Sequence, residues 1–180
     1  MRCLWLATVL SLSGFLELAS AIIVSTMVDD NQPDGFNITY HPEGAWQQGG
    51  IGGCDGCPPP PITGLASMNT FHGSLFNQEN TRSTHQVPPT ATLVFFGSSV
   101  SVSCILSNGL SNPSGHSEMT FTIDGIQRDN FVYTPSGSPG FLPNKNVFAS
   151  GSLELANHTL VIKNGGISGG SSLVILDYIT

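Results

Sequence analysis

The alternation of hydrophobic and polar positions is clearest between residues 91 and 106. From Val100 to Leu106, apolar residues take every second position and serines stand between most of them, the two-residue period of a half-buried strand. From Leu93 to Phe96 every residue is apolar, which predicts a strand with neither face in water. Gly97 and Ser98 separate the two segments. We therefore predict a β-hairpin over residues 92–106 that lies in the core.

Shorter apolar segments recur along the chain between turns rich in Gly, Pro, Asn and Ser. Residues 119–123 alternate and run into Asp124-Gly125, a favoured two-residue hairpin turn, so residues 126–133 are predicted to return antiparallel. Further strands are predicted over residues 22–28, 36–40, 68–75, 146–149, 152–163 and 172–179. About nine strands without a long helical segment indicate an all-β antiparallel sandwich.

The first 21 residues have the features of a secretory signal peptide. Arg2 gives a basic start, residues 4–18 are mostly apolar, and Ala19-Ser20-Ala21 is a small-residue cleavage pattern. The apolar segment is interrupted and shorter than the about 20 residues that a bilayer span requires. We expect cleavage, secretion, and one mature domain over residues 22–180 without a membrane span. An uncleaved signal anchor is the alternative.

The charge balance excludes one class of partner. The chain has 5 Lys and Arg against 12 Asp and Glu, a net charge of −7. Because phosphate binding requires clustered basic residues, we expect no nucleic-acid partner. Two sequons, which begin at Asn37 and Asn157, agree with secretion and predict glycosylated, exposed asparagines.

The predicted secretory route also determines the expected state of the cysteines. Cys54 and Cys57 lie in a Gly- and Pro-rich segment, and an oxidising compartment favours a disulfide between them. Cys104 falls on the apolar face of its strand and is expected as a small buried hydrophobe. A Cys57–Cys104 bond is the alternative pairing. A redox-active pair and a zinc site are weaker alternatives.

Aromatic residues supply the candidate ligand contacts. Trp46 with Tyr40, Tyr133 or Phe71 would offer a stacking platform for a sugar ring, because aromatic side chains supply large contact area and often a polar group. The alternative is that Trp46 and Tyr40 pack at the edge of the sandwich. No nucleophile elbow, zinc-protease motif or phosphate loop occurs in the sequence. We therefore expect no enzymatic activity, with a glycoside or ester hydrolase as the weakest alternative.

An acidic turn gives the one candidate for a cofactor. Asp29, Asp30 and Asp34, with the carbonyl groups of the turn that follows, supply the oxygen ligands that calcium prefers. Capping of the turn by the same side chains is the alternative. No other cofactor is expected.

Short motifs also follow one another in an order typical of one group of proteins. They are Val28-Asp29-Asp30, Ile38-Thr39-Tyr40, Trp46, Cys54-x-x-Cys57, Val102-Ser103-Cys104-Ile105-Leu106, Phe121-Thr122-Ile123-Asp124-Gly125, Asn146-Val147-Phe148, His158-Thr159-Leu160-Val161-Ile162 and Leu176-Asp177-Tyr178. Over most of residues 24–179 this order resembles the ectodomains of fungal, basidiomycete-type secreted or single-pass proteins. The resemblance implies a galactose-binding-like jelly roll. By fold analogy it implies a module that binds a glycan or a cell-surface protein, with a structural cell-wall or surface component as the alternative.

Overall fold

The computed structural model describes residues 23–30, 37–49, 64–77, 87–109 and 115–180. The predicted signal peptide, Asp34 and the Cys54–Cys57 pair lie outside these residues. The regular structure of the described ranges is eleven strands and a single 3-10 turn, Ser67–Asn69. Within those ranges no helix has the length and apolar content to cross a bilayer.

The strands are short at the amino-terminal end and long in the rest of the chain. They are β1 (Val28–Asp29), β2 (Thr39–His41), β3 (Gln47–Gly49), β4 (Phe71–Asn77), β5 (Thr90–Gly97), β6 (Ser101–Ser107), β7 (Ser117–Ile123), β8 (Ile126–Tyr133), β9 (Phe141–Ala149), β10 (Ala156–Asn164) and β11 (Ser171–Ile179).

The strands form two antiparallel sheets. The six-stranded sheet has the order β3-β4-β11-β6-β9, and β1 also pairs with β11. The five-stranded sheet has the order β2-β5-β10-β7-β8. Neighbours in both sheets are mostly distant in sequence, as in a jelly roll rather than a meander. The predicted all-β jelly-roll sandwich is confirmed.

The main core lies between the two sheets. Inward residues of the five-stranded sheet, such as Leu160, meet inward residues of the six-stranded sheet, such as Leu176, and both are fully buried. The rings of Phe121 on β7 and Phe148 on β9 stack with centroids 4.6 Å apart and planes 6° from parallel. This aromatic pair joins the two sheets directly.

A second apolar layer covers the other face of the six-stranded sheet. Phe71, Ile105, Leu173 and Ile175 form a separate buried cluster, against which Ala66 and Phe141 pack. Leu173 and Ile175 alternate along β11 with Val174 and Leu176 of the main core, so the two clusters lie on opposite faces. The six-stranded sheet is therefore buried on both faces, whereas the five-stranded sheet has one face toward solvent.

The predicted core hairpin over residues 92–106 is wrong. β5 pairs with β2 and β10, whereas β6 pairs with β11 and β9, so the two strands belong to different sheets. On β5, Val94 and Phe96 are 62% and 65% exposed because they point out of the five-stranded sheet. On β6 the serine face is buried as well, since the second apolar layer covers that side.

The hairpin predicted at Asp124-Gly125 is confirmed. Ile123 pairs with Ile126, and both turn residues have positive φ, 53° and 78°, as a type I′ turn requires. The Asp124 carboxylate accepts a hydrogen bond from Thr159 N at 2.9 Å, which ties the turn to β10.

Cys104 behaves as the sequence indicates. It is a free, fully buried thiol in the main core, and burial raises its pKa, with the nearby Asp177 carboxylate adding to the effect. A thiol that is buried and protonated is a poor nucleophile. Cys104 is therefore a packing residue, and the Cys54–Cys57 disulfide stays a prediction.

Candidate functional site

Trp46 and Tyr40 pack together at the edge of the sandwich. Trp46 is only 6% exposed and belongs to the main core, and its ring centroid lies 5.4 Å from that of Tyr40. Tyr40 stacks on His72 at 4.2 Å and donates a hydrogen bond to the Asp30 carbonyl oxygen at 3.2 Å. Trp46 therefore offers no platform for stacking a sugar, because its ring is already covered.

Tyr133 lies far from the other two aromatic candidates. It ends β8, which forms one edge of the five-stranded sheet, whereas Tyr40 lies on β2 at the opposite edge. Its hydroxyl donates to Asn108 Oδ1 at 2.6 Å, and that oxygen also accepts from Ser136 N at 2.7 Å. Tyr133 therefore holds the loop after β8, and the three aromatics form no common surface.

Asp29 and Asp30 form a buried acidic pair at the end of β1. Thr70 Oγ1 lies 2.7 Å from Asp29 Oδ1 and 2.8 Å from Asp30 Oδ1, and its single proton can serve one carboxylate at a time. His72 Nδ1 lies 2.7 Å from Asp30 Oδ2. Burial raises the pKa of Asp30, although the bonds to His72 and Thr70 oppose that shift.

A third carboxylate, Asp177 on β11, adds negative charge to this region. It is fully buried and accepts a hydrogen bond from Ser67 N at 2.7 Å through Oδ1, whereas Oδ2 has no hydrogen-bond partner among the described residues. Burial raises the pKa of Asp177 to about 6, and Asp29 and Asp30 add to this shift. The sequence indicated the first two acids, but it did not show that Thr70, His72 and Asp177 would join them.

No complete metal site is present in the part of the chain that the structure describes. There, no three His, Cys, Asp or Glu side chains are arranged to hold an ion. Asp34, the third predicted calcium ligand, lies outside that part. Apart from the His72 ring nitrogen beside Asp30, the groups that converge are oxygens, the ligand type that suits calcium.

The solvent-facing side of the five-stranded sheet, called the open face below, has two rows of residues in register across all five strands. The first row is Thr39, Thr92, Val161, Thr122 and Gln127, and the second row is His41, Thr90, Lys163, Thr120 and Asn130. With strands about 4.8 Å apart, each row runs for about 19 Å.

These two rows are polar and mostly accessible. Val161 is the single apolar member, and every other position carries a hydroxyl, amide, imidazole or ammonium group. All members except Thr120 are partly or fully exposed. The arrangement is a long, regular surface of hydrogen-bonding groups with one fixed positive charge, at Lys163. No local sequence pattern marks this surface, because its members are scattered over residues 39–163.

Both predicted glycosylation sites are exposed. Asn37 precedes β2, and Asn157 lies near the start of β10. Exposure is what a used sequon requires, and the modification itself stays a prediction.

Among known proteins, only solved structures match this chain. No family model and no curated protein matches the sequence. The Agl-KA catalytic domain matches with a TM-score of 0.50 at 10% identity over 86% of this chain, which spans 27% of that structure. A family 35 carbohydrate-binding module from Clostridium thermocellum matches with a TM-score of 0.47 at 11% identity, over 86% of this chain and 96% of the module.

A third solved structure is similar over nearly its full length. The CBM36-1 domain of a multidomain xylanase from the hindgut metagenome of Trinervitermes trinervoides has a TM-score of 0.44 and 16% identity, over 86% of this chain and 93% of the domain. At these identities the likeness concerns the fold alone. The assignment of function therefore rests on the geometry of the open face.

Proposed function

We propose that this chain is a secreted, non-catalytic module that binds a neutral glycan through the open face. The observation that carries the proposal is the pair of polar rows across the five-stranded sheet. Hydroxyl and amide groups can both donate and accept, so they match the hydroxyl groups along a sugar chain. A flat row of about 19 Å provides room for several sugar units.

The chemistry of the rows also favours binding over hydrolysis. A glycosidase requires two carboxyl groups on either side of the scissile bond. The rows contain no Asp or Glu, and Lys163 is their one permanently charged member. A bound glycan would therefore be held by hydrogen bonds on these rows without the pair of carboxyl groups that a glycosidase uses.

The proposal also includes secretion and the type of glycan that is bound. The leader pattern over residues 1–21 and the order of motifs support secretion and a place among fungal galactose-binding-like proteins. In that setting the ligand would be a glycan of a cell wall or cell surface. A structural surface component without a specific ligand is the alternative, and a search for saturable binding separates the two.

Binding is tested by removing hydroxyls from the central part of the first row. Thr92→Val combined with Thr122→Val keeps side-chain shape but removes two hydrogen-bonding groups beside Val161. We expect affinity for the best-bound neutral oligosaccharide of a glycan array to fall by about tenfold, since each such bond contributes about 0.5–1.5 kcal/mol. Isothermal calorimetry measures the change.

Thr134→Val is the matched control for that experiment. Thr134 is exposed just after β8 but lies outside both rows, so its replacement should leave affinity unchanged. Equal losses in the control and the double variant would contradict the proposed surface. An array with no saturable binding to any glycan would favour the structural alternative.

We further propose that the acidic pair Asp29 and Asp30, with Thr70, binds calcium. Two carboxylates share one hydroxyl, and one Asp177 oxygen has no partner among the described residues. His72 offsets part of the charge at Asp30, and a cation would neutralise the rest. Since calcium takes six to eight oxygens, backbone carbonyls and water would have to supply the remaining ligands.

The calcium proposal is tested by thermal unfolding with calcium, with magnesium and with a chelator. At a calcium concentration of about 100 times Kd we expect Tm to rise by several degrees, from a stabilisation of about 2.7 kcal/mol. Asp30→Asn should abolish the rise, while Asp129→Asn, an exposed acid on β8, should keep it. A Tm that is insensitive to calcium in the unmodified protein would overturn the proposal.

A further inference from the structure

Asn157 and Phe96 lie directly opposite each other on neighbouring strands. Asn157 on β10 is the register partner of Phe96 on β5, so both side chains point to the same side of the sheet. Both residues are exposed, and Phe96 presents 65% of its surface to solvent. In the next outward pair, Thr159 faces Val94, which is 62% exposed.

Two independent features lie together at this end of the open face. Phe96 and Val94 are large apolar side chains left uncovered on one face, next to each other along β5. The sequon Asn157-His158-Thr159 places its two recognised side chains on the same face, opposite these apolar residues. A ligand attached to Asn157 would therefore begin within a few ångströms of the exposed ring.

We propose that Asn157 carries an N-linked glycan whose first N-acetylglucosamine packs on the ring of Phe96 and covers Val94. Opposed residues in an antiparallel pair have Cβ atoms about 4.5–5.5 Å apart, so the first sugar is in reach of the ring. The C–H face of a pyranose is the apolar surface that an aromatic ring accepts. The glycan would cover a part of β5 that the described residues leave exposed.

The attachment is the standard transfer from a lipid-linked oligosaccharide diphosphate in the secretory pathway. The Asn157 amide nitrogen forms a bond to the anomeric carbon of the donor's first sugar and loses one proton to a base of the transferring enzyme. The bond between that carbon and the diphosphate oxygen breaks, and the lipid diphosphate leaves. No redox change occurs.

The second sequon gives a comparison within the same chain. Asn37 precedes β2, whose pairing with β5 begins at Thr39, so Asn37 has no register partner across the sheet. A glycan there would lack the directly opposed aromatic ring proposed for Asn157. The two sites therefore differ in whether the attached sugar stabilises the fold.

The proposal depends on secretion, and its test is separate from the test of glycan binding by the polar rows. The pairs Asn157–Phe96 and Thr159–Val94 follow the two rows along β5 and β10 rather than belonging to them. Failure of the polar rows to bind any oligosaccharide would leave it untouched. Conversely, an unmodified Asn157 would leave the binding proposal intact.

The test is a double-mutant cycle in the full chain secreted from a eukaryotic host. Glycopeptide mapping establishes occupancy, and an endoglycosidase trims each glycan to a single N-acetylglucosamine. We expect Asn157→Gln to lower Tm by about 2–4 °C when Phe96 is present and by less than about 1 °C in the Phe96→Ala background. Asn37→Gln should have the same small effect in both backgrounds.

Two results would overturn the proposal. One is secreted protein in which Asn157 is unmodified, and the other is an Asn157→Gln effect that is equal with and without Phe96. If Phe96→Ala is poorly secreted, Phe96→Thr replaces the ring with a residue that suits an exposed strand position. A nuclear Overhauser contact between the sugar acetamide methyl group and the Phe96 ring gives an independent readout on the unmutated chain.

Discussion

Replacing Phe121 by alanine is expected to lower the free energy of unfolding by about 3–5 kcal/mol. Phe121 is fully buried on β7, and its ring stacks on Phe148 of β9 at a centroid distance of 4.6 Å. The substitution would remove the contact that joins the two sheets and leave a cavity between them. Denaturant unfolding, followed by tryptophan fluorescence or circular dichroism, measures the loss.

Phe96→Ala in unglycosylated protein is the matched control. It deletes the same side chain from the same sheet, but Phe96 points to solvent. We expect its effect on stability to stay within about 0.5 kcal/mol. Comparable losses for the two variants would mean that the described sandwich does not bury one phenylalanine and expose the other.

Glu118→Ala is expected to cost about 2–4 kcal/mol, the second large effect. Glu118 is fully buried on β7, and its carboxylate accepts hydrogen bonds from Ile167 N at 3.0 Å and from the amide and hydroxyl of Ser168. His116 Nε2 lies 3.0 Å from the same group. The alanine variant would leave the glycine-rich loop between β10 and β11 without its acceptor.

The same carboxylate predicts a pH dependence. Burial raises the pKa of Glu118, but hydrogen bonds from Ser168, His116 and Ile167 outweigh burial and lower it from 4.5 to about 2. Because the folded-state pKa lies below the unfolded value, the stabilisation is complete above pH 4.5 and is lost as pH falls toward 2. The stability difference between wild type and Glu118→Gln should therefore shrink as pH falls from about 5 to about 2. A difference that stayed constant over this range would contradict an ionised, hydrogen-bonded Glu118.

The strands themselves were largely predictable from local pattern. Asp124-Gly125 specifies a tight hairpin because both positions need positive φ, and this preference acts without help from the rest of the chain. Residues 172–179, predicted as a strand, correspond to β11 (Ser171–Ile179). Local chemistry determines such features, so a single sequence suffices to find them.

Which strand faces solvent was not predictable in the same way. The all-apolar segment on β5 is exposed on one face, at Val94 and Phe96, whereas the serine-bearing strand β6 is buried on both. The reason is tertiary: β6 lies within a sheet that a second apolar layer covers. Small serines fit under such a layer. The large side chains of Val94 and Phe96 lie on the solvent side, where we propose that a glycan covers them.

The candidate sites likewise divide into residues that local sequence identifies and residues that only tertiary structure brings together. Asp29 and Asp30 are adjacent in the sequence and were found, but Asp177 joins them only because β1 pairs with β11. The polar rows depend on register across five strands, and no local pattern marks Thr39, Thr92 and Thr122 as neighbours. Trp46 was a candidate for its chemistry, yet packing at the sheet edge buries it.

The most direct test of glycan binding by the open face is a backbone amide chemical-shift titration with the oligosaccharide bound most tightly on an array. We predict that the largest shifts fall on residues 90–92, 120–122 and 161–163, where the two rows cross the three central strands. Shifts concentrated in the loop after Tyr133 or around Asp29 and Asp177, with these strands unaffected, would contradict the account.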